Sequence, residues 1–301
     1  MSPRMYTKDF GIEALLGEGS FGKVYLVKRQ KDSKQFVIKK QKQNPNDAWI
    51  NKMITAEVEC MQILRHPNII SYYGAWQESG HFYILMEYAA KGTLKNLLDN
   101  RINPLSEQDS LYLFAQVVLG VHHIHSKNIL HRDLKPENIM LTGRMGDIVK
   151  IGDFGLSRDL RLHNMSHAGS YYYLAPEMLK KESYDFKSDV WSMGVILYEM
   201  LTKELAFPAN SMEEIVEMVC NNKPQLFKTM DISRDIRILI YKMLQQNSTK
   251  RPSTRLLLLC PFLVSYVAKV YLNLGRAYAT PEKDFDFNIF RQFFNRIEDA
   301  R

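Results

Sequence analysis

His131-Arg132-Asp133-Leu134-Lys135-Pro136-Glu137-Asn138 is followed, after a short interval, by Asp153-Phe154-Gly155. These two stretches gather a base, a lysine and two oxygen ligands for a metal. Phosphoryl transfer from ATP asks little covalent chemistry of a protein. It needs an in-line hydroxyl, metal ions bridging the phosphates, and positive charge where negative charge develops. In that chemistry Asp133 accepts the proton of the acceptor hydroxyl and Lys135 reaches the transferring phosphate. Asn138 and Asp153 are the candidate ligands for Mg²⁺, an ion that keeps several waters and takes only one or two carboxylates.

A second constellation lies upstream. Leu16-Gly17-Glu18-Gly19-Ser20-Phe21-Gly22-Lys23-Val24 contains the pattern G-x-G-x-x-G-x-V. Its glycines let backbone amides approach phosphates without Cβ clashes. A dinucleotide-binding fingerprint overlaps this pattern but requires a helix next. Here β-type sequence lies on both sides. Lys39, in Phe36-Val37-Ile38-Lys39, falls on the next expected strand, and Glu57 on the following helix is its expected partner. Lys40 belongs to the opposite face by strand alternation. Glu57 is preferred to Glu59 because it lies one turn before Met61, on the apolar side.

The remaining composition narrows the class. The chain has 301 residues, with 46% hydrophobic and 24% charged, and a net charge of +7. These values fit a soluble globular protein of one or two domains. The charge is too modest to imply a nucleic-acid partner. Cys60, Cys220 and Cys260 are odd in number and have no metal-ligand spacing, so free thiols and a cytoplasmic location are expected. No apolar run is long enough to suggest a membrane span.

The pattern predicts an α+β fold in two lobes. Phe10–Leu16, Lys23–Lys28, Gln35–Lys40, Ile69–Trp76 and His81–Met86 read as strands, with a helix over about 49–64. From Leu94 the pattern becomes helical. Leu111, Phe114, Val118, Val121 and Ile124 form one apolar stripe. Val190 to Leu201 reads as a central helix, apolar on most sides. Further helices are expected near 212–219, 236–244 and 253–264. The smaller lobe is expected over 10–86, a hinge over 87–92 and the larger lobe over 93–263. Residues 264–301 form a C-terminal extension, expected to be helical and to dock back onto the same chain. The alternative is a regulatory partner or a dimer contact made through it.

With Ala175-Pro176-Glu177 closing the segment after Asp153, the whole set resembles a eukaryotic protein kinase domain. Within that superfamily it is similar to the NIMA-related (NEK) serine/threonine kinases. His66-Pro67-Asn68-Ile69-Ile70, Phe82 to Tyr88, Gly169 to Glu177 and Ala206 to Met212 carry this likeness. Ile70 to Trp76 and Lys91-Gly92-Thr93-Leu94 also resemble kinases that phosphorylate translation initiation factor 2, whereas Ser188 to Gly194 favours the NEK side. The resemblance implies an ATP- and Mg²⁺-dependent enzyme acting on Ser or Thr of a protein substrate, with a catalytically impaired scaffold as the alternative. It implies Met86 as gatekeeper and Glu87 and Ala89 as the backbone that reads adenine. Val24, Val37 and Met140 would sandwich the ring. Met61, Tyr72, His131 and Phe154 would stack into a spine anchored by Asp189, and Glu177 would pair with Arg251. It also implies Leu156 as a marker of serine acceptors, and Ser166 as a phosphorylation site answered by Arg132 and Arg158. The chain departs from the family pattern at Val37, usually alanine, and at Tyr171, usually proline.

Overall fold

Side-chain alternation along one strand organises the first half of the molecule. The computed structural model describes residues 7–19, 22–43, 48–154, 168–224 and 232–277. In it β1 (Phe10–Gly19), β2 (Gly22–Arg29), β3 (Gln35–Lys42), β4 (Tyr72–Glu78) and β5 (His81–Met86) form an antiparallel sheet ordered β1-β2-β3-β5-β4. Successive strand residues face opposite sides. On β3, Phe36 and Ile38 therefore point one way, and Val37, Lys39 and Gln41 the other. The first face carries a small core of its own, with Phe10, Val27, Phe36, Ile38, Tyr83 and Leu85 buried. Trp76 stacks there on Phe10 and Tyr83, with ring centroids 6.1 and 5.3 Å apart. The second face is covered by α1 (Ala48–Ile63), which buries Ile54, Glu57, Cys60 and Met61 at three- and four-residue steps.

The second half is mainly helical. Ser106 caps α3 (Glu107–Ser126) by accepting from the Asp109 amide, and the expected stripe from Leu111 to Ile124 is buried. α5 (Lys187–Thr202) is buried from Ser188 to Thr202 and forms the axis of this lobe. α3 and α7 (Arg234–Met243) pack against it, and α4 (Pro176–Leu179) packs against α6 (Met212–Asn221). Between the lobes the chain crosses over 87–93. The crossover is tied to the larger lobe by Lys91 N–H donating to Leu141 O at 3.0 Å and Leu141 N–H to Gly92 O at 2.8 Å. Thr93 and Asn96 then form a reciprocal capping box at the start of α2 (Leu94–Asp99). No single helix among the described residues is long and apolar enough to cross a membrane.

Two expectations need correction, and one element was not anticipated. The strand expected from Ile69 begins at Tyr72, because Ile69 is occupied in an isolated bridge to Ile151. The larger lobe, expected to be mainly helical, also contains a hairpin that the pattern did not locate, β6 (Ile139–Thr142) and β7 (Ile148–Ile151). The helix expected over 253–264 is two helices, α8 (Thr254–Leu258) and α9 (Pro261–Ala277). Pro261, which has no N–H to donate, starts a new helix at its first position. α9 buries Leu263, Val267, Val270 and Leu274 in the main core, and Asn273 donates to the Tyr112 hydroxyl of α3 at 2.9 Å. Residues 278–301, the rest of the proposed extension, lie outside the described residues.

Candidate active site

β-sheet register assembles the upper wall of the cleft. Val24 lies opposite Lys39 on β3 and opposite Gly17 on β1, so these three share the face covered by α1. Lys39 Nζ is 2.6 Å from Glu57 Oε1 and 3.6 Å from an oxygen of Asp153. Gln41, two residues along on the same face, donates to the other Glu57 oxygen at 3.3 Å. Burial pulls the Lys39 ammonium down, but Glu57 and Asp153 outweigh it, so the net shift is upward and the side chain stays cationic. Lys40 sits on the opposite face, 5.7 Å above the Tyr83 ring, and Glu59 is exposed.

The glycine turn needs its last glycine for a steric reason. Gly22 has φ +121°, and a Cβ there would lie 2.1 Å from Lys40 O. A Cβ on Gly17 would meet nothing within 4 Å, so space opens there above the cleft. Leu16 falls at a register shift of β1 and is 47% exposed. Glu18 and Lys23 belong to the turn through their backbone. They face away from Lys39 and form an exposed ion pair of 3.1 Å, so only their backbone borders the turn. Ser20 and Phe21 lie outside the described residues.

The lower wall is a polar network built on α5. Buried Asp189 accepts from the backbone amides of His131 and Arg132, each at 2.9 Å, and lies 2.8 Å from His125 Nε2. Burial alone would raise its pKa, but these partners hold it below the ordinary aspartate value. Arg132 (φ 70°) and Asp153 (φ 60°) both take the left-handed conformation that non-glycine residues avoid. Strain of this kind persists only where the surroundings over-determine it. For Arg132 the Asp189 contact supplies that restraint.

Asp133 lies within this network. Lys135 Nζ is 2.8 and 3.0 Å from its two carboxylate oxygens. Asn138 Nδ2 donates to Asp133 O at 2.7 Å and to Asp133 Oδ2 at 2.9 Å. With its nitrogen so engaged, Asn138 has its amide oxygen left for a cation. Gly152 N–H donates to Asn138 O at 3.0 Å, which brings the residue before Asp153 against Asn138. An amide oxygen and a carboxylate placed together in this way are hard ligands that fit Mg²⁺.

Between the walls lies a slot of apolar residues. Met86 pairs across the sheet with Val37 and Tyr72. Val37 and Ala89 are buried, and Val24 and Met140 are partly buried. Gly152 packs closely beside Met140: a Cβ there would meet the Met140 Cε and Sδ at 2.9 Å and displace the end of that side chain. Met61, His131 and Phe154 are buried, Tyr72 packs against the same core, and the rings of His131 and Phe154 have centroids 5.2 Å apart. Glu177 and the fully buried Arg251 form a two-pronged pair of 2.6 and 2.8 Å. Arg132 lies over the Tyr184 ring at 5.5 Å. Gly155, Leu156, Arg158, Ser166 and the side chain of Ser170 lie outside the described residues. The sequence reading missed Gln41, Ser71 and Lys150. Period-two alternation from Lys39 was the available signal for Gln41.

A family model described as the protein kinase domain matches residues 10–263. The chain is 35% identical over 274 residues to the serine/threonine-protein kinase Nek5 of Homo sapiens, an alignment covering 89% of this chain and 37% of that protein. It is 34% identical over 272 residues to Nek4 of Mus musculus, covering 87% and 33%. With nekl-2 of Caenorhabditis elegans the identity is 31% over 279 residues, covering 89% and 78%. The chain thus spans under half the length of the first two relatives and most of the third. On these matches, and on a sheet, helix and loop arrangement that suits them, the chain belongs to the protein kinase domain family and is similar to its NEK serine/threonine members.

Proposed function

We propose that this chain transfers the γ-phosphoryl group of ATP to serine or threonine hydroxyls of protein substrates. The observation that carries the reading is the buried Lys39 held between Glu57 and Asp153. In this role Lys39 holds the ATP phosphates, and Glu57 fixes its direction. The amides around Gly17, Gly19 and Gly22 cover the phosphates. The Glu87 carbonyl and Ala89 amide read adenine, between Val24 and Val37 above and Met140 below, with Met86 closing the back of the slot. Asp133, oriented by Asn138, accepts the acceptor proton. Lys135, beside Asp133, offsets charge on the group in transit. Asn138 and Asp153 would hold Mg²⁺, which when bound neutralises phosphate charge and orients it. The names of the relatives, all serine/threonine-protein kinases, support the acceptor class.

Labelled ATP·Mg²⁺ with a generic protein substrate tests the proposal. The wild-type chain labels the protein, whereas Asp133→Ala and Asp153→Ala abolish labelling while remaining folded. Labelling that survives Asp133→Ala would point to another base. A folded wild-type chain that binds nucleotide and labels nothing would mark a scaffold instead.

A further inference from the structure

Ser71, Glu87 and Lys150 form a second polar cluster, set behind the crossover and away from the reacting groups. Lys150 Nζ is 2.8 Å from Glu87 Oε1 and 2.9 Å from Glu87 Oε2. Glu87 Oε2 also accepts from the Ser71 amide at 3.0 Å and from the Ser71 hydroxyl at 2.8 Å. The loop closes when Glu87 N–H donates to Ser71 O at 2.9 Å. The Lys150 side chain is only 3% exposed and that of Glu87 19%. Removing two charges from water is costly, and geometry this well satisfied is what offsets the cost.

The three residues come from three elements that must agree if a nucleotide is to fit. Ser71 leads into β4, and Glu87 is the first residue of the crossover after β5. Lys150 lies on β7, opposite Met140, and the same strand leads into Asp153. The cluster therefore ties the crossover to the strand that delivers a proposed metal ligand and to the residue paired with the floor of the slot. With its carboxylate anchored on Ser71 and Lys150, Glu87 has its backbone set in one orientation.

We infer that Lys150, with Ser71, is a positioning residue for nucleotide recognition. It anchors the Glu87 carboxylate behind the crossover and so presents the Glu87 carbonyl and Ala89 amide to the adenine edge. This inference rests on the ATP-binding reading above.

The test compares the full chain with Lys150→Met, Lys150→Arg and Ser71→Ala. It measures KM for ATP, KM for the protein substrate, kcat, the Kd of a fluorescent ATP analogue, and Tm. Lys150→Met is expected to raise the ATP KM and the analogue Kd about tenfold, the scale of losses seen when a supporting partner behind a ligand is removed. The protein KM stays unchanged and kcat stays within about twofold, as expected when binding rather than the chemical step is affected. Lys150→Arg restores most of the nucleotide affinity. If Lys150→Met does not fold, Ser71→Ala carries the same test, with a rise of about threefold in the same two constants, the scale of losing one hydrogen bond. A fall in Tm with nucleotide affinity unchanged would show a purely structural pair and overturn the inference. So would an equal loss in kcat. A wild-type chain that binds the analogue without turnover would sink only the enzymatic reading, because the variant-to-wild-type ratio of Kd still decides this one.

Discussion

The backbone amide of Arg132 lies 2.9 Å from Oδ1 of Asp189, a residue distant in sequence on the buried axial helix. Arg132 immediately precedes the proposed base and has a left-handed backbone, so this contact sets how Asp133 enters the cleft. Asp189→Asn replaces one acceptor with a donor aimed at a backbone N–H. The expected cost is about 1–3 kcal/mol of stability, the penalty for an unsatisfied buried donor. Turnover should fall with it. Urea denaturation and kcat, measured on one preparation, check both.

Lys39→Met should leave a folded protein without activity. Glu57 then stays buried with Gln41 as a remaining partner, and breaking a buried pair by removing one side costs about 3–5 kcal/mol. A domain stable by about 5–15 kcal/mol absorbs that loss. Turnover is expected to drop by at least about 10²-fold, the usual effect of losing a preorganised charge at a reacting group. Circular dichroism and a single-turnover assay separate the two effects.

Two glycines of the same turn should behave differently. Gly22→Ala forces a Cβ into the Lys40 carbonyl at positive φ, and strain of this type costs about 1–3 kcal/mol. Gly17→Ala meets open space and should leave Tm unchanged while its methyl group intrudes on the phosphate path. Thermal melts should therefore separate the variants, while both show a higher KM for ATP.

Stability should fall with acid well before the carboxylates titrate. An unfolded histidine ionises near about 6.5. Burial, with nearby positive groups adding to it, pushes folded His66 down to about 3 and His123 to about 4. Between those values the unfolded chain binds protons that the folded chain refuses. This contribution is complete above about 6.5 and is lost as pH falls, at up to about 1.4 kcal/mol per pH unit for each proton. Urea midpoints should drop between pH 7 and 5, and a His66→Asn/His123→Gln double variant should flatten the slope.

A chain ending at Cys260 should not fold cooperatively, whereas one ending at Ala277 serves as the folded control. The shorter chain removes Leu263, Val267, Val270 and Leu274 from the core. Each buried aliphatic side chain contributes roughly 1.5–3 kcal/mol, so together they rival the stability of a whole domain. Calorimetry of the two chains decides it.

That last case shows where sequence reading stopped. Periodicity located the stripe of α3 and the fully buried α5, and alternation separated Lys39 from Lys40, because a single burial pattern dominates each element. It failed at Pro261, where the apolar pattern runs on through a change of helix. It failed also at β6 and β7, whose strands are too short for period two to emerge. Among the site residues, the Lys39–Glu57 pair was legible because strand alternation picked out Lys39 and the apolar side of α1 picked out Glu57, whereas the Asp133–Asn138 hydrogen bonds were not read from the sequence. The outward direction of the Glu18 and Lys23 side chains was not legible, because a motif names positions without saying which way each side chain points. Lys150 was invisible for another reason. A lysine between apolar strand neighbours reads as surface charge until the fold brings Glu87 to it.

The rings of Phe10, Trp76 and Tyr83 shield the side of the sheet that turns away from α1. The five strands thus draw cohesion from a layer that no nucleotide touches. Emptying or filling the cleft should leave amide exchange across β2, β3 and β5 largely unaltered, and ligand-dependent protection should concentrate in α1 and the glycine turn instead.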